Sequence, residues 1–424
     1  VTFVSVPGFV GKGNFGYLQI TIGYLIGYVI IAYILLPLYY RLKLTSIYGY
    51  LQQRMGKMSY KSGAWIFIVS RLVGATARLY LVVNILQTTI LDSLGVPFIV
   101  TTLVILSMII LYTYEGGVKT IVWTDTLQTT CMLAGLVACT FYILNYFDLS
   151  ILDSFSVLSE KGYTQIFNTD FYSSNYLIKQ ILAGAFITIT MTGIDQEMMQ
   201  KSLSVTKLKD SQKNMVTLGF ILFGVISLFL YMGGLLYIYG AKVGSVAVDD
   251  KLFPDIALNY MPPFISIIFI IALISALFPS ADGAMTALTS SLFIDVFGIN
   301  DRAFSTDKKE KIRKRIHLLV AFSFLVMVLV FRWINDNSMI GLILKLAGFT
   351  YGPLLGLFAF GIFTKYKVKD SLVPIVCILS PVFSYIIDHF QTDIFGEFKI
   401  GLELLIINGM ITFLGLLFIV KKEK

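Results

Sequence analysis

Long apolar stretches dominate the chain, and short polar segments separate them at fairly regular intervals. A run of about 18 or more apolar residues is long enough to cross a hydrocarbon layer of ~30 Å as a helix. Only helices and closed barrels satisfy the backbone inside lipid, and these runs lack the alternation of barrel strands. The full spans read as residues 16–40, 62–91, 96–114, 122–146, 176–199, 215–239, 264–297, 317–331, 339–363, 371–389 and 401–420. Residues 1–7 read as the second half of one further span. The expectation is therefore an all-α polytopic membrane protein of about a dozen spans whose N-terminus is truncated inside a helix.

Charge falls between the spans and changes sign from loop to loop. One set is basic: Arg41, Lys43, Arg54, Lys57 and Lys61; Lys119; Lys201, Lys207, Lys209 and Lys213; the dense run over 302–315; Lys365, Lys367 and Lys369; and the end of the chain at Lys421, Lys422 and Lys424. The intervening set leans acidic, with Asp148, Asp153, Glu160 and Asp170, then Asp249, Asp250 and Asp255, then Asp388, Asp393 and Glu397. Lys and Arg accumulate on the cytoplasmic side, so the C-terminus is expected in the cytoplasm and the 148–174 loop outside.

Composition narrows the function classes. Of 424 residues, 57% are apolar and only 14% charged, with a mean hydropathy of +0.81. That is too little charge to cover a soluble domain of this length. The net charge of +8 does not mark a nucleic-acid binder, because the basic residues sit where membrane topology places them. Cys131, Cys139 and Cys377 lie inside apolar runs and form no disulfide framework. His317 and His389 lie at span ends. No His, Cys or carboxylate cluster marks a catalytic or zinc site, so a membrane enzyme is not expected. A channel calls for a continuous polar pore, and a sensor for a signalling domain; neither is outlined.

Ionisable groups inside spans are costly and therefore informative. Arg71, Arg78, Asp125, Asp195, Glu197, Asp282 and Lys345 all fall within or near the apolar runs. Asp125 is either a capping acid near the start of its span or a hard oxygen ligand for a small cation. In the segment 275–290, Pro279 removes an amide donor and frees a carbonyl near Ser275, while Ser280 and Asp282 add side-chain oxygens. Such a kink either packs small residues or traps sodium, as interrupted transporter helices do. Thr188 to Gly193 followed by Asp195, Gln196 and Glu197 reads as a broken helix lining a cavity, or as a span ending in headgroups. Arg71 and Arg78 share a face, and a buried guanidinium takes a carboxylate of the protein or of a ligand. Lys345 has the same two readings. Tyr24 and Tyr351 are candidates for lining a cavity.

Several segments together resemble the sodium/solute symporter family, which includes sodium–glucose and sodium–sialic acid transporters. They are Thr2-Phe3-Val4-Ser5-Val6-Pro7, Leu44 through Leu51, Glu115-Gly116-Gly117-Val118-Lys119 running into Trp123-Thr124-Asp125, Asp195-Gln196 with Gln200-Lys201, and Tyr351 through Gly356. The resemblance covers the chain and implies a LeuT-like transporter fold, two five-helix repeats of inverted topology. The first repeat falls at about 1–147 and the second at about 176–364, with extra helices at about 371–420, all in one membrane domain. It implies sodium-coupled import of a small organic solute (a sugar, acidic sugar or carboxylate) by alternating access, in a bacterial inner membrane. The partners are then sodium, the solute and lipid.

The resemblance also assigns residues. Ala276, Pro279 and Ser280 fall on the sodium-ligand positions of the eighth family helix; Pro279 departs from the hydroxyl residue usual there. Asp125 matches an Asp that holds a second sodium in some members, with Asp282 and Gly283 replacing serines, so a second cation at Asp125, Ser280 and Asp282 is expected. Arg71 falls where an Arg grips a substrate carboxylate. Asp195 with Gln196, and Thr2 and Ser5 beside the broken first helix, fall at or near substrate-facing positions.

Overall fold

The computed structural model describes residues 2–44, 46–114, 118–334 and 339–421. Inside those stretches the side chains of Tyr112, residues 118–122, Leu277, Pro279, Ser280, Met339 and Ile340 lie outside the described set, as do Val1, Thr45 and the Glu115-Gly116-Gly117 motif. The described residues are helical almost throughout, with one isolated antiparallel bridge between Val368 and Val420.

In chain order, α1 (Thr2–Gly13), α2 (Tyr17–Ile30) and α3 (Leu36–Leu42) are followed by a short α4 (Gly49–Arg54). Then come α5 (Lys57–Leu86), α6 (Phe98–Thr113), α7 (Val118–Tyr146) and the surface helix α8 (Ile151–Glu160). Next are α9 (Leu177–Thr188), α10 (Gln196–Leu203), α11 (Leu208–Val243), α12 (Leu252–Asn259) and α13 (Pro263–Ser291). The chain closes with α14 (Thr306–Ile334), α15 (Met339–Phe363), α16 (Val373–His389), α17 (Gln391–Phe395) and α18 (Leu404–Phe418).

Among the described residues, eight helical segments are long and apolar enough to cross a membrane, nine if α9 and α10 form one bent span. Two shorter apolar helices, Phe98–Leu111 and Leu404–Phe418, complete a one-to-one match with the runs read from sequence. The helices are often longer than those runs: α11 starts at Leu208 and α14 at Thr306, each adding basic turns outside the apolar stretch.

Packing contacts come in exchanged pairs. α1 packs on α11 while α9 packs on α2; α7 packs on α13 while α15 packs on α5; α5 packs on α14 while α13 packs on α6. Substituting α1, α2, α5, α6 and α7 by α9, α11, α13, α14 and α15 turns each first pair into its second. This is the contact pattern that two structurally repeated five-helix units produce.

Small residues let these helices meet. A side chain on Gly23 would overlap the Ile181 carbonyl, and one on Gly184 the Ile20 carbonyl, so α2 and α9 are in backbone contact. Phe3 anchors α1 among Phe229, Phe253 and Phe269, with ring centroids 6.0, 5.1 and 5.6 Å away. His317 is not a headgroup residue at a span end. It is buried, with one ring nitrogen 3.0 Å from the Thr113 hydroxyl and the other 3.0 Å from that of Thr289, tying α14 to α6 and α13.

The basic loops gather on one face. Tyr40 donates to the Val205 carbonyl, Arg54 to those of Gly361 and Thr364, and Arg313 to that of Tyr114. Asp370 caps the start of α5 through the Met58 and Ser59 amides, both at 2.8 Å. The acidic loops and the end of α1 meet on the opposite face, where Lys12 reaches Asp249 at 2.6 Å.

Candidate functional site

The break between α9 and α10 bends the chain by 67°. A π-helical turn over Ile189–Gly193 runs into Ile194, outside helical geometry, and Asp195, which is extended. Interrupting a helix strands carbonyls before the break and amides after it. Side chains take up two groups from each set. Asp195 Oδ1 accepts from the Glu197 and Met198 amides at 3.0 and 3.2 Å. Tyr39 donates to the Gly193 carbonyl at 2.9 Å and Tyr48 to that of Ile194 at 3.2 Å. Gln196 Oε1 accepts from the Ile47 amide at 2.9 Å, so the 44–51 segment clamps the bend from outside.

Buried charge collects here. Arg71, mid-way along α5, donates to Glu197 and lies 3.7 Å from Asp195 Oδ2; all three are at most 5% exposed. Tyr351 on α15 donates to Asp195 Oδ2 at 3.4 Å. Glu197 lies so close to α13 that a Cβ on Gly283 would overlap its carboxylate. Lys201 continues the line, 3.6 Å from Glu197 Oε1 and 3.3 Å from Asp125 Oδ2 on α7. The junction therefore joins α5, α7, α10, α13 and α15.

A cavity of about 440 Å³ opens on the acidic face. It lies between the ends of α1 and α2, the 165–175 loop, the start of α9, and parts of α15 to α18. Its walls are rich in amides, among them Gln19, Asn168, Asn175, Gln180 and Gln391. Gln19 donates to the Gly16 and Asn175 carbonyls and accepts from the Asn168 amide, and Gln391 accepts from the Ile400 amide. Lys345 lines the cavity, paired with Asp388 at 2.9 Å. Tyr17, in the cavity wall, shares a hydrogen bond with Tyr24 at 3.2 Å, and the Arg78 guanidinium lies near both phenols.

The residues singled out from sequence separate into three places. Asp195, Gln196, Arg71 and Tyr351 meet at the break, where Arg71 is held by the protein's own carboxylates and Gln196 by a backbone amide. Lys345 stands at the cavity and Tyr24 just behind it. Thr2 and Ser5 lie on α1; Ser5 is buried and its hydroxyl has no partner, as is the hydroxyl of Ser70 beside Arg71.

For the cation candidates, helix α13 runs without a break from Pro263 to Ser291, through the position of Pro279. A proline withholds one amide, and the flanking turns carry the helix through. Ala276 is half-buried on α13, while the side chains of Pro279 and Ser280 lie outside the described residues. Asp282 is fully buried and accepts from the Gly283 amide. Asp125 meets an ammonium. The described residues hold no group of three His, Cys, Asp or Glu side chains fit to ligate a metal.

Sequence reading missed Lys201 as a partner of Asp125, because its spacing from the apolar run marked it as a headgroup lysine. It missed the wall amides too, since polar loop residues carry no periodic signal. The 44–51 segment was noticed only as a motif.

A pair of helices bent sharply at a break, exchanged packing pairs and an open polar cavity on one face define a secondary transporter of the inverted-repeat class. The chain belongs to the sodium:solute symporter family, whose sequence profile matches residues 1–370. It is 22% identical to the sodium/sialic acid symporter SiaT of Proteus mirabilis over 97% of this chain and 84% of that protein. It is 23% identical to the human sodium/iodide cotransporter over 86% of this chain and 57% of that protein. Its fold superposes on a solved sodium-coupled sialic acid symporter in a substrate-bound outward-open state with a TM-score of 0.81, at 20% identity, covering 100% of this chain and 88% of the other. The inward-facing form of Mhp1 gives a TM-score of 0.53 at 12% identity, covering 98% of this chain. The protein is thus a sodium-coupled solute symporter that works by alternating access.

Proposed function

We propose that the chain imports a small, hydroxylated, negatively charged organic solute with sodium, admitted through the amide-lined cavity, and that Arg78 meets its negative charge. The observation that carries this reading is the state of the two arginines on α5. Arg71 is neutralised by Asp195 and Glu197. Arg78, two turns on along the same face, has no hydrogen bond or ion pair among the described residues and is only half-buried. A guanidinium left open within a span is the group a carboxylate binds bidentately. Amide walls suit hydroxyl groups, and the relatives named for sialic acid and iodide transport anions.

The basic face is read as cytoplasmic, which puts the cavity outside. Sodium is assigned to α13 near Ala276, Pro279 and Ser280, with the repeats at about 1–147 and 176–364. Sodium that favours the solute-binding state raises solute affinity, and the solute raises sodium affinity equally. The membrane potential adds about 2.3 kcal/mol per net charge per 100 mV.

The test is uptake into proteoliposomes of sialic acids, monocarboxylates and neutral sugars, with a sodium gradient or with choline in its place. Arg78→Gln is expected to abolish uptake of the anionic substrate while leaving the thermal midpoint close to that of the parent. Uptake of a neutral sugar, untouched by Arg78→Gln, overturns the assignment. Uptake indifferent to choline overturns the coupling.

A further inference from the structure

A second cavity, of about 540 Å³, opens on the basic face. Two membrane-crossing segments end at it. Ile34, Pro37, Leu38 and Leu42 belong to the last turns of the segment Tyr17–Leu42, and Gly361 and Ile362 to the last turn of Gly341–Phe363. These residues supply an apolar lining, and Ile34 is still 46% exposed on a segment that crosses lipid. At and beyond the span ends the lining changes character. It is Arg41, Arg54 and Lys365, with the neutral Gln53 and Thr364 and no carboxylate. The cavity therefore straddles the level at which acyl chains give way to headgroups.

The polar end is built, not merely basic. Arg54 Nε donates to the Gly361 carbonyl at 3.0 Å and Nη2 to that of Thr364, so the guanidinium is fixed across the end of α15. The buried Tyr50 phenol is hydrogen-bonded with Arg54 as well, and its ring packs on Phe358, centroids 5.7 Å apart. The Arg41 guanidinium lies close enough to act on the same phenol. Arg41, Arg54 and Lys365 form no ion pair among the described residues. Membrane topology asks only that basic residues stand on one side. It does not ask for a guanidinium held by backbone, or for three unpaired cations in one recess with aliphatic residues leading into it. Such a recess concentrates positive potential for an anion.

We propose that this recess binds an anionic phospholipid, with the phosphate among Arg41, Arg54 and Lys365 and the start of an acyl chain along Ile34, Leu38 and Ile362. Phosphate oxygens take guanidinium donors and a lysine charge. Basic pockets between membrane helices on the cytoplasmic side hold lipid headgroups in this way, and the basic face is the one read as cytoplasmic. A free phosphate ion answers the cations but leaves the aliphatic lining uncovered. A zwitterionic lipid covers the lining but brings its own cation to a place that already has three. Arg41 stands on α3 and Lys365 follows α15, so one headgroup ties together two span ends far apart in the chain. The site is apart from the sodium and solute positions, and the inference stands whatever the solute.

The test titrates purified full-length protein in neutral detergent with dioleoylphosphatidylglycerol, dioleoylphosphatidylcholine or glycerol 1-phosphate. Native mass spectrometry counts bound lipid, and the thermal midpoint is read alongside. The parent is expected to retain one phosphatidylglycerol per chain that phosphatidylcholine does not displace, with a raised midpoint. Arg41→Gln combined with Lys365→Gln removes two exposed cations and is expected to weaken that binding on the order of tenfold or more. Lys367→Gln combined with Lys369→Gln removes the same charge from the adjoining exposed loop, outside the cavity, and is expected to match the parent. The single changes Arg41→Gln and Lys365→Gln, each with a partial loss, keep the comparison readable if the first pair does not fold together. Equal weakening in both double variants overturns the site and leaves only surface charge. No retained lipid, or phosphatidylcholine retained as well as phosphatidylglycerol, overturns the proposal. So does glycerol 1-phosphate that raises the midpoint as much as the lipid does.

Discussion

Two stretches of this chain carry the same ingredients for a broken helix, yet only one breaks. Residues 188–197 and residues 275–290 each combine small residues, hydroxyls, a glycine and an acid in an apolar surrounding. The first bends by 67° between α9 and α10; the second is a continuous turn of α13 in spite of Pro279. The difference lies in what receives the orphaned backbone groups. At the break, Asp195 caps the amides that follow, and two tyrosine hydroxyls from α3 and the turn before α4 take the carbonyls that precede. In α13, Asp282 accepts from the amide next to it, and Thr286 donates back to the Asp282 and Gly283 carbonyls, bonds that stay within one continuous helix. A membrane helix breaks where partners wait for its backbone, since nothing in lipid will serve instead.

The largest effect is expected where the broken region holds its charge. Arg71→Leu leaves Asp195 and Glu197 buried without their cation, and removing one partner of a buried pair costs about 3–5 kcal/mol. A fall in the thermal midpoint of the purified protein far beyond that of Arg78→Gln is the expected result. Equal, small shifts for both arginines would mean that the pairs at the break contribute little.

A smaller effect joins the two regions directly. Gly283→Ala puts a methyl group into the Glu197 carboxylate, and overpacking of that kind costs about 1–3 kcal/mol. The control is Gly74→Ala on α5, where a Cβ meets nothing within 4 Å and the change is expected to be neutral or stabilising by about 0.4–1 kcal/mol. The contrast separates contact between α13 and α10 from a general intolerance of added bulk.

Much of the fold is legible in the chain because lipid imposes a single rule. Every apolar run of sufficient length has to be a helix, and each of the eleven runs is matched by one. Pairing is another matter. Asp125, Arg71 and Glu197 stand out as costly residues, but their spacing along separate helices does not say which acid meets which base. Lys201 sits on a turn that, by its distance from the apolar run, belongs to headgroups; the bend after Gly193 carries it back toward α7. The bend itself was open to two readings because an acid that caps a helix inside the membrane and one that ends a helix at its surface look the same in sequence. The partners that take its carbonyls, Tyr39 and Tyr48, lie some 150 residues earlier, where no local pattern points to them.

The mildest and most specific test acts on the cap alone. Asp195 does two things: its Oδ1 receives two amides at the start of α10, and its Oδ2 faces Arg71 and Tyr351. Asn caps a helix about as well as Asp, whereas replacing either by Ala costs about 1 kcal/mol. Asp195→Asn therefore keeps the cap and removes one negative charge, while Asp195→Ala removes both. If the cap is what holds the break, the alanine variant unfolds at a lower temperature than the asparagine variant, and hydrogen exchange at the Glu197 and Met198 amides quickens in alanine only. If the two variants match in both measurements, the break is held by Arg71 pairing and the tyrosine hydroxyls. The contrast with α13 then rests on those hydroxyls, and Tyr39→Phe combined with Tyr48→Phe becomes the change that loosens the bend.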